Sequence, residues 1–176
     1  LVGEDGPAGP MGAAGTCDVA QCSAAAASIA NMLPVYARGV NGSGTLSIRL
    51  ASDERASNFA VGLWLTVIDR TSHQEVRNAG YNISDATQRT ELLAALDGVT
   101  DNQLVVIASA GAVSLHLTED VSGTTLADAL VELGATSRLS SLDAAEAFVF
   151  AGYPGLGAGN GALLVNPEKA ELSLML

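Results

Sequence analysis

Glycine recurs at every third position near the start of the chain, which reads LVGEDGPAGPMGAAG. The glycines that share this register are Gly3, Gly6, Gly9, Gly12 and Gly15. Two prolines, Pro7 and Pro10, directly follow glycines of the repeat. A strict period of three is needed where three polyproline-II chains wind together, because only glycine fits at their crowded axis. The repeat therefore indicates either such a three-chain helix or a flexible linker rich in glycine and proline.

The in-phase glycines, with proline placed directly after them, favour the three-chain helix over the linker. We therefore predict that residues 1–16 are the end of a collagen-like trimerisation stalk and that residues 17–176 are a globular domain. So few triplets do not make a stable triple helix alone. We expect them to end a longer stalk, or to be held together by the attached domain.

Two cysteines, Cys17 and Cys22, follow the repeat at once in the segment CDVAQC. A disulfide within each chain is the favoured interpretation, because this spacing allows local closure without guaranteeing the geometry. A bond between chains that locks three chains in register, or two reduced thiols, are the alternatives. The stalk-like repeat and the acidic, lysine-poor composition suit an extracellular compartment, where disulfides persist.

The composition is that of a folded protein and excludes some partners. Hydrophobic residues make up 48% of the chain and charged residues 15%, whereas disorder needs low hydrophobicity and high charge density. The formal net charge is −11, and the basic residues are scattered singly. A phosphate backbone needs a basic stripe, so we expect no nucleic acid partner. No apolar run reaches the roughly 18 residues that span a bilayer, so we expect no membrane insertion.

Strand patterns dominate the rest of the chain. Phe59–Asp69 alternates apolar and polar residues and is predicted to be a half-buried strand that forms a hairpin with Gln74–Tyr81. Trp64 lies on the face opposite the aliphatic residues, either packed in the core, which we favour, or exposed as an anchor for sugar or protein. Gln103–Ser109 is continuously apolar, which predicts a strand covered on both faces. The other predicted strands are Thr45–Leu50, Phe148–Ala151, Ala162–Val165 and Ala170–Leu176, and residues 23–33 form a short helix or strand that Pro34 ends.

Two helices are predicted between the strands. The first is capped by Ser84 or Asp85 and ends at Gly98. The second runs from about Thr125 to Leu133, where a threonine and an aspartate three positions later resemble a capping box. The order of elements predicts a mixed α+β fold with the helices packed on a sheet.

Few residues suit catalysis or metal binding. His73 falls in a predicted turn and His116 on the polar side of a strand-like stretch, so the two lack the close spacing of a zinc site. The acid pairs Asp53–Glu54 and Glu119–Asp120 fall in predicted loops, where solvated charge is commoner than acid–base chemistry. The sequence also has no G-x-S-x-G elbow of a serine hydrolase. We therefore expect no catalytic residues, no metal ligands and no enzymatic activity.

A glycine-rich segment near the C-terminus nominally fits a dinucleotide fingerprint, with Gly157 and Gly159 in place. That fingerprint works only where it opens a helix that is followed by an acidic residue about 20 positions later. The residues from Ala162 onward have strand patterns instead. We interpret the segment as a loop and expect no cofactor.

Several segments recur in a characteristic order and spacing between about Phe59 and Gly152. These are GLWLTVIDRTSHQEV (Gly62–Val76), TELLAALDGV (Thr90–Val99), NQLVVIAS (Asn102–Ser109), VELGA (Val131–Ala135) and AFVFAG (Ala147–Gly152). Together they resemble the interleukin-like EMT inducer (ILEI) domain family, and the resemblance covers about half of the chain. The glycine stalk is no part of that domain.

The resemblance implies a compact, β-sandwich-like α+β domain that is extracellular and has no catalysis of its own. Family members are secreted signalling factors or modules attached to glycan-handling proteins, and one similar stem domain binds sugars. The chain departs from the family pattern at Ala79–Asn82, at Asn102–Gln103 and in the loop AGAVSLHLTED. The resemblance therefore assigns no sugar-binding residue, and the ligand-binding residues stay unknown.

Stalk and domain together predict a trimeric extracellular or virion fibre protein. Its knob would attach to a surface receptor or glycan, as in phage tail fibres and bacterial adhesins, with avidity from three copies. The alternative is a subunit that assembles into an extracellular filament, with the apolar segment Leu172–Leu176 adding a strand to a neighbour. A diffusible signalling domain is the third hypothesis, and it leaves the stalk unexplained.

Overall fold

The computed structural model describes residues 32–42, 45–57 and 60–176. The strands are β1 (Pro34–Val40), β2 (Leu46–Leu50), β3 (Asp53–Ser57), β4 (Gly62–Asp69), β5 (Glu75–Tyr81), β6 (Gln103–Ala110), β7 (Glu146–Gly152), β8 (Ala162–Pro167) and β9 (Lys169–Met175). The helices are α1 (Ala86–Asp97), α2 (Ser114–Leu117) and α3 (Leu126–Glu132), followed by a 3-10 helix (Ser137–Ser141). Residues Leu33–Leu176 form one compact unit.

The nine described strands form one sheet that branches at β6. A central limb has the order β5-β4-β6-β7-β8, and its pairs are all antiparallel. An outer limb has the order β3-β2-β1-β9, again antiparallel. The two limbs join where β1 and β6 pair in parallel at Val40 and Ala110. Beside this pair the Gly111 N–H donates a hydrogen bond to the Val40 carbonyl at 2.9 Å.

Both faces of the central limb are covered, because successive residues of a strand point to opposite faces. In β7, Phe148 and Phe150 join an apolar cluster with the helices, which we call the helix-side cluster. Val149 and Ala151 join a second cluster with the outer limb, which we call the limb–limb cluster. The outer limb therefore lies over one face of the central limb and the helices over the other.

The outer limb lies very close to β7 at Gly39. A Cβ atom at this position would lie 2.3 Å from the Phe148 carbonyl oxygen and 3.2 Å from the Ser109 amide nitrogen. Both are backbone atoms and cannot rotate away, so only glycine allows this approach. The buried Ser109 hydroxyl accepts a hydrogen bond from the Phe148 N–H at 2.8 Å, which continues the β6–β7 contact beyond their ladder.

The predicted mixed fold with helices packed on a sheet is confirmed by the described residues. The β4–β5 hairpin, the strands β2, β6, β7, β8 and β9, and the helices α1 and α3 all lie where the sequence predicts them. The prediction that Phe59–Asp69 is a half-buried strand is wrong in one respect. Strand β4 is buried on both faces, because its second face packs into the limb–limb cluster.

The sequence patterns miss two strands of the outer limb. Strand β1, which the sequence patterns do not predict, begins at Pro34. Proline is tolerated at the first position of a strand because its missing N–H is not needed there. The pair Asp53–Glu54, predicted to lie in a loop, belongs to β3, which pairs along its length with β2.

The predicted stalk at residues 1–16, together with Cys17 and Cys22, lies outside the described residues. Most of the short element predicted at residues 23–33 does so as well.

Candidate functional site: a cleft between two helices

A cleft of about 460 Å³ opens on the helix-covered side of the central limb, between α1 and α3. Helix α1 contributes Thr90, Leu93, Ala94 and Asp97 to its lining. Their i, i+3, i+4, i+7 spacing places them on one face of the helix. Leu92 lies on an adjacent face and is fully buried in the helix-side cluster. One helix therefore both packs the core and lines the cleft.

Local signals at both ends fix the position of α1. The Asp85 carboxylate accepts hydrogen bonds from two backbone N–H groups of the first turn, at 2.7 and 3.3 Å. At the other end the Gly98 N–H donates to the Ala94 carbonyl at 3.2 Å. These are the cap and the stop that the sequence predicts. They set Asp97 as the last helical residue, at the mouth of the cleft.

Helix α3 forms the opposite wall with Ala129, Glu132 and Leu133. It begins after Thr125, whose hydroxyl oxygen accepts a hydrogen bond from the Asp128 N–H at 3.1 Å. The same hydroxyl donates to the Asp128 carboxylate at 2.7 Å. The predicted capping pair is therefore confirmed, with the two side chains bonded directly to each other.

A tight turn, Val121–Thr124, forms one lip of the cleft, which we call the near lip. The Val121 N–H donates to the Thr124 carbonyl at 2.8 Å. Ser122 and Gly123 have φ angles of 59° and 94°, as the two central residues of a type I′ turn require. The Asp120 carboxylate accepts a hydrogen bond from the Gly123 N–H at 3.1 Å. The near lip is thus a closed turn that is further held by a hydrogen bond to the Asp120 side chain.

Arg89 ties the segment that precedes the near lip to α1. Its guanidinium is buried and lies 2.6 Å from the Glu119 carboxylate. It also donates to the Ile83 carbonyl at 2.6 Å. Glu119 in turn contacts the His116 ring nitrogen Nδ1 at 3.0 Å. A buried guanidinium with charged and neutral acceptors is a strong tether, so these contacts hold the near lip against the helix.

A second turn, Pro154–Gly155, forms the far lip. The Leu156 N–H donates to the Tyr153 carbonyl at 3.3 Å, and Gly155 has a φ of 79°. Proline followed by a glycine of positive φ is the signature of a type II turn. The Arg70 guanidinium lies 3.9 Å from the centroid of the Tyr153 ring, a cation–π contact that braces the start of the turn.

The lining combines an aliphatic floor with a polar rim. The apolar side chains of the lining are Leu93, Leu96, Val99, Val121 and Leu133 together with alanine and proline, and the lining includes no aromatic ring. Hydroxyls come from Thr90, Ser122 and Thr124. The carboxylates of Asp97 and Glu132 are exposed, and neither has an ion-pair or hydrogen-bond partner among the residues that the structure describes.

The helix layer around the cleft is strongly acidic. Between Asn82 and Ala135, Arg89 is the only lysine or arginine, and its charge is engaged by Glu119. The acidic residues of the same stretch are Asp85, Glu91, Asp97, Asp101, Glu119, Asp120, Asp128 and Glu132. A negative potential of this kind attracts cationic groups and repels phosphates and other anions.

The residues that the sequence offers as candidates for catalysis or metal binding do not lie together in the described part of the chain. His73 lies in the turn after β4, as predicted, with a φ of 58°. His116 lies in α2, so the strand-like interpretation of its segment is wrong. The Leu117 N–H donates to the Val113 carbonyl at 3.1 Å, which turns that segment into a short helix. Glu119 and Asp120 lie outside helices and strands, as predicted, where they brace the near lip.

The turn that begins at Asp69 is confirmed and is held by that carboxylate. It accepts hydrogen bonds from the Ser72 N–H at 2.7 Å and the Thr71 N–H at 2.9 Å. The Asn102 side chain donates to its other oxygen at 3.1 Å. These bonds favour the ionised form and hold the pKa of Asp69 below its ordinary value, the Ser72 backbone N–H contributing most.

Trp64 and the glycine-rich loop also take structural positions. The Trp64 ring is partly buried against the limb–limb cluster, and its indole N–H donates to the Asn78 side chain at 2.5 Å. This agrees with the favoured core interpretation. Gly157 and Gly159 lie between β7 and β8, which are antiparallel neighbours. The loop therefore connects a hairpin and does not open a helix, as the sequence interpretation holds.

Sequence reasoning misses the cleft itself, because its lining comes from segments far apart in the chain. One signal was available within α1. Thr90, Leu93, Ala94 and Asp97 form a mixed polar and apolar stripe beside the buried Leu92, and such a second stripe indicates a face left for something other than the core.

No protein-family model matches the chain, and no curated protein matches it. Within residues 32–42, 45–57 and 60–176, no helix is both long and apolar enough to cross a membrane. The same residues contain no group of three or more histidine, cysteine or acidic side chains placed to hold a metal ion.

Proposed function

We propose that the chain is a non-catalytic subunit of a trimeric extracellular or virion fibre, in which a collagen-like stalk carries knobs that attach to a surface receptor or glycan. The glycine register from Gly3 to Gly15 carries this proposal. A strict period of three suits the crowded axis of a three-chain polyproline-II helix, and few other structures need it. Cys17 and Cys22 are proposed to close a disulfide within each chain, with closure between chains as the alternative.

The position of β1 supports a knob that is held from its N-terminal side. Strand β1 lies inside the outer limb, paired with β2 on one side and with β9 along its whole length on the other. The Leu33 and Leu176 backbones exchange two hydrogen bonds, at 2.9 and 3.0 Å. Antiparallel ladder bonds run perpendicular to the strands. A pull along β1 from Leu33 would therefore load many bonds together in shear.

We retain the resemblance to ILEI domains as part of the proposal, because it implies a β-sandwich-like domain with packed helices. The outer and central limbs share the limb–limb cluster, as the two sheets of a β-sandwich share a core. Two helices pack on the opposite face of the central limb. An extracellular, sandwich-like attachment module is consistent with this architecture and with the acidic composition.

The cleft between α1 and α3 gives the proposed knob a place to bind. It is concave, partly apolar and rimmed by polar groups, which are the usual features of a ligand site. Three knobs on one stalk would present three clefts to one surface. Linked sites of this kind raise the overall avidity well above the affinity of each site.

An open filament is the second candidate function. The edge strands β3 and β5 each pair on one side only within the described residues, and Val76 of β5 is exposed. The segment Leu172–Leu176 lies mostly in β9 and is hydrogen-bonded to β1. A neighbouring subunit that adds a strand to this segment would have to pair with the edge of β9 that does not face β1.

The proposal is tested by the solution mass of the full chain and of residues 17–176, measured by light scattering over a series of concentrations. We expect a fixed trimer for the full chain and a monomer for the truncated chain. Growth of the mass with concentration would support the filament. A full chain that stays monomeric at every concentration would contradict the stalk and leave only the domain.

A further inference from the structure

We propose that the cleft between α1 and α3 binds a protein segment that presents a lysine or arginine side chain beside aliphatic side chains. This inference rests on the proposed function, because it names the ligand class of the knob. Among receptors and glycans it selects a protein receptor. Three features of the cleft favour this ligand: the charge of its rim, the chemistry of its floor and the bracing of its lips.

The rim of the cleft offers two carboxylates that no described cation neutralises. Asp97 projects from the end of α1 and Glu132 from α3, so the pair stands on opposite walls. Two basic residues described near the cleft, Arg89 and Arg70, already have other partners. Arg89 is bonded to Glu119 and to a backbone carbonyl, and Arg70 lies over the Tyr153 ring and donates to the Asp101 carbonyl. An incoming ammonium or guanidinium group would therefore meet free acceptors and complementary charge.

The floor suits an aliphatic ligand better than a sugar. It is made of leucine, valine and alanine side chains and includes no aromatic ring. Sugar faces pack well against the flat rings of Trp and Tyr, which this lining lacks. Lysine and arginine lay their methylene stems along aliphatic surfaces while their charged ends stay in water. The floor and the rim together match such a side chain with an aliphatic neighbour.

The lips are already in place before any ligand arrives. The near lip is a closed turn tethered through Arg89 and Glu119, and the far lip is a type II turn. The cleft volume of about 460 Å³ lies in the usual range for ligand sites, roughly 300–1,000 Å³. A preformed site loses little freedom on binding, so a short peptide segment is enough to occupy it.

The experiment pans a displayed library of random dodecapeptides on the full chain. Ala94→Phe is the counter-selection variant, because Ala94 is exposed on α1 and lines the cleft. A phenylalanine ring there fills the cleft without replacing a buried residue. Enriched peptides are then synthesised, and their affinities for the wild-type chain and its variants are measured by fluorescence polarisation.

We expect the enriched peptides to pair lysine or arginine with Leu, Ile, Val or Met. Ala94→Phe should weaken their binding about tenfold or more, and Asp97→Asn with Glu132→Gln about fivefold to tenfold. The matched control is Glu91→Gln with Asp101→Asn. This pair removes the same charge from exposed positions outside the lining, so it should change the affinity less than about twofold.

Three results would overturn the inference. The first is a selection that yields no cationic peptides. The second is equal binding to the wild-type chain and to Ala94→Phe. The third is a loss in the Glu91→Gln/Asp101→Asn control as large as in the Asp97→Asn/Glu132→Gln variant, which would indicate unspecific attraction to an acidic protein.

A parallel titration with chitotriose, a neutral glycan, separates this inference from the proposed function. One outcome is that the wild-type chain binds chitotriose but no peptide, and that Ala94→Phe abolishes the chitotriose binding. This would contradict the inference but would still support an attachment knob. A trimeric full chain that binds neither the peptides nor chitotriose would also contradict the inference, but it would still support the stalk. A monomeric full chain that binds the peptides at the cleft would contradict the stalk and support the ligand class.

Discussion

The two faces of the central limb are covered by different elements, and the cleft between α1 and α3 lies on the helix-covered face. Toward the helices the limb presents large side chains, including Phe148 and Phe150, which are fully buried. Toward the outer limb it presents three alanines, Ala108, Ala147 and Ala151, beside larger side chains such as Trp64. The outer limb packs closely on this face at Gly39. Helices are cylinders and leave a groove wherever two of them diverge above the sheet.

The two faces therefore differ in what they contribute to the molecule. The limb–limb face is closed by backbone contact at Gly39. The helix-covered face keeps an open, acidic groove with braced lips. Both faces therefore contribute to the stability of the fold, whereas the helix-covered face also offers a place for a binding partner.

The largest effect is expected from a pair of neighbouring residues in β7 that point to opposite faces. Phe150→Ala should lower the free energy of unfolding by about 3–5 kcal/mol, because it empties the helix-side cluster. Val149→Ala, on the limb–limb side, should cost about 2 kcal/mol, since it removes only two carbon atoms and not a whole phenyl ring. Urea unfolding measures both. Equal losses for the two variants would contradict the difference between the faces.

The close approach of the limbs is tested at Gly39. Gly39→Ala should destabilise the chain by roughly 2–3 kcal/mol or prevent folding, because its Cβ would lie 2.3 Å from the Phe148 carbonyl oxygen. Gly98→Ala is the matched control, with its nearest neighbour at 3.5 Å and a φ of −78°. That control should change the stability by less than about 0.5 kcal/mol. A neutral Gly39→Ala would show that the limbs are not in contact there.

The tether of the near lip is tested by Arg89→Met. The substitution removes hydrogen bonds to Glu119 and Ile83, so we expect a loss of about 2 kcal/mol. Hydrogen exchange at Val121–Thr124 should also speed up, since the turn loses its anchor. Arg138→Met is the control, because it breaks a similar ion pair with Glu146. Accelerated exchange of the near lip in both variants would contradict a specific tether.

The smallest effect concerns the acid side of the stability curve. The pKa of Asp69 is lowered by its hydrogen bonds, chiefly from the Ser72 N–H. A lowered folded-state pKa adds stability above the unfolded-state pKa, and this stability is lost as the pH falls through the folded-state pKa. Asp69→Asn should therefore be less stable than wild type at neutral pH, with a difference that shrinks in acid. Asp101→Asn controls for the lost charge, and a pH-independent difference for Asp69→Asn would contradict this cause.

The parts of the fold that local signals specify could be predicted from the sequence. Helix α1 was predictable because an aspartate cap and a glycine stop frame it, and β6 because its apolar run is unbroken. Strand β3 was not, since an exposed edge strand needs no apolar face and its sequence DERAS carries none. The cleft was not predictable as a whole, because residues 90–97, 121–133 and 154–155 meet only through the tertiary fold.

The most direct measurement of the central claim is a titration of the isotope-labelled full chain with hexylammonium, followed through its amide chemical shifts. Hexylammonium combines a cation with an aliphatic chain, and hexanoate serves as the anionic control. We expect shifts for Thr90–Asp97, Val121–Thr124 and Ala129–Leu133 with hexylammonium and none there with hexanoate. Shifts confined to the outer limb, or equal shifts with both compounds, would contradict the claim that the helix-covered face is the binding face.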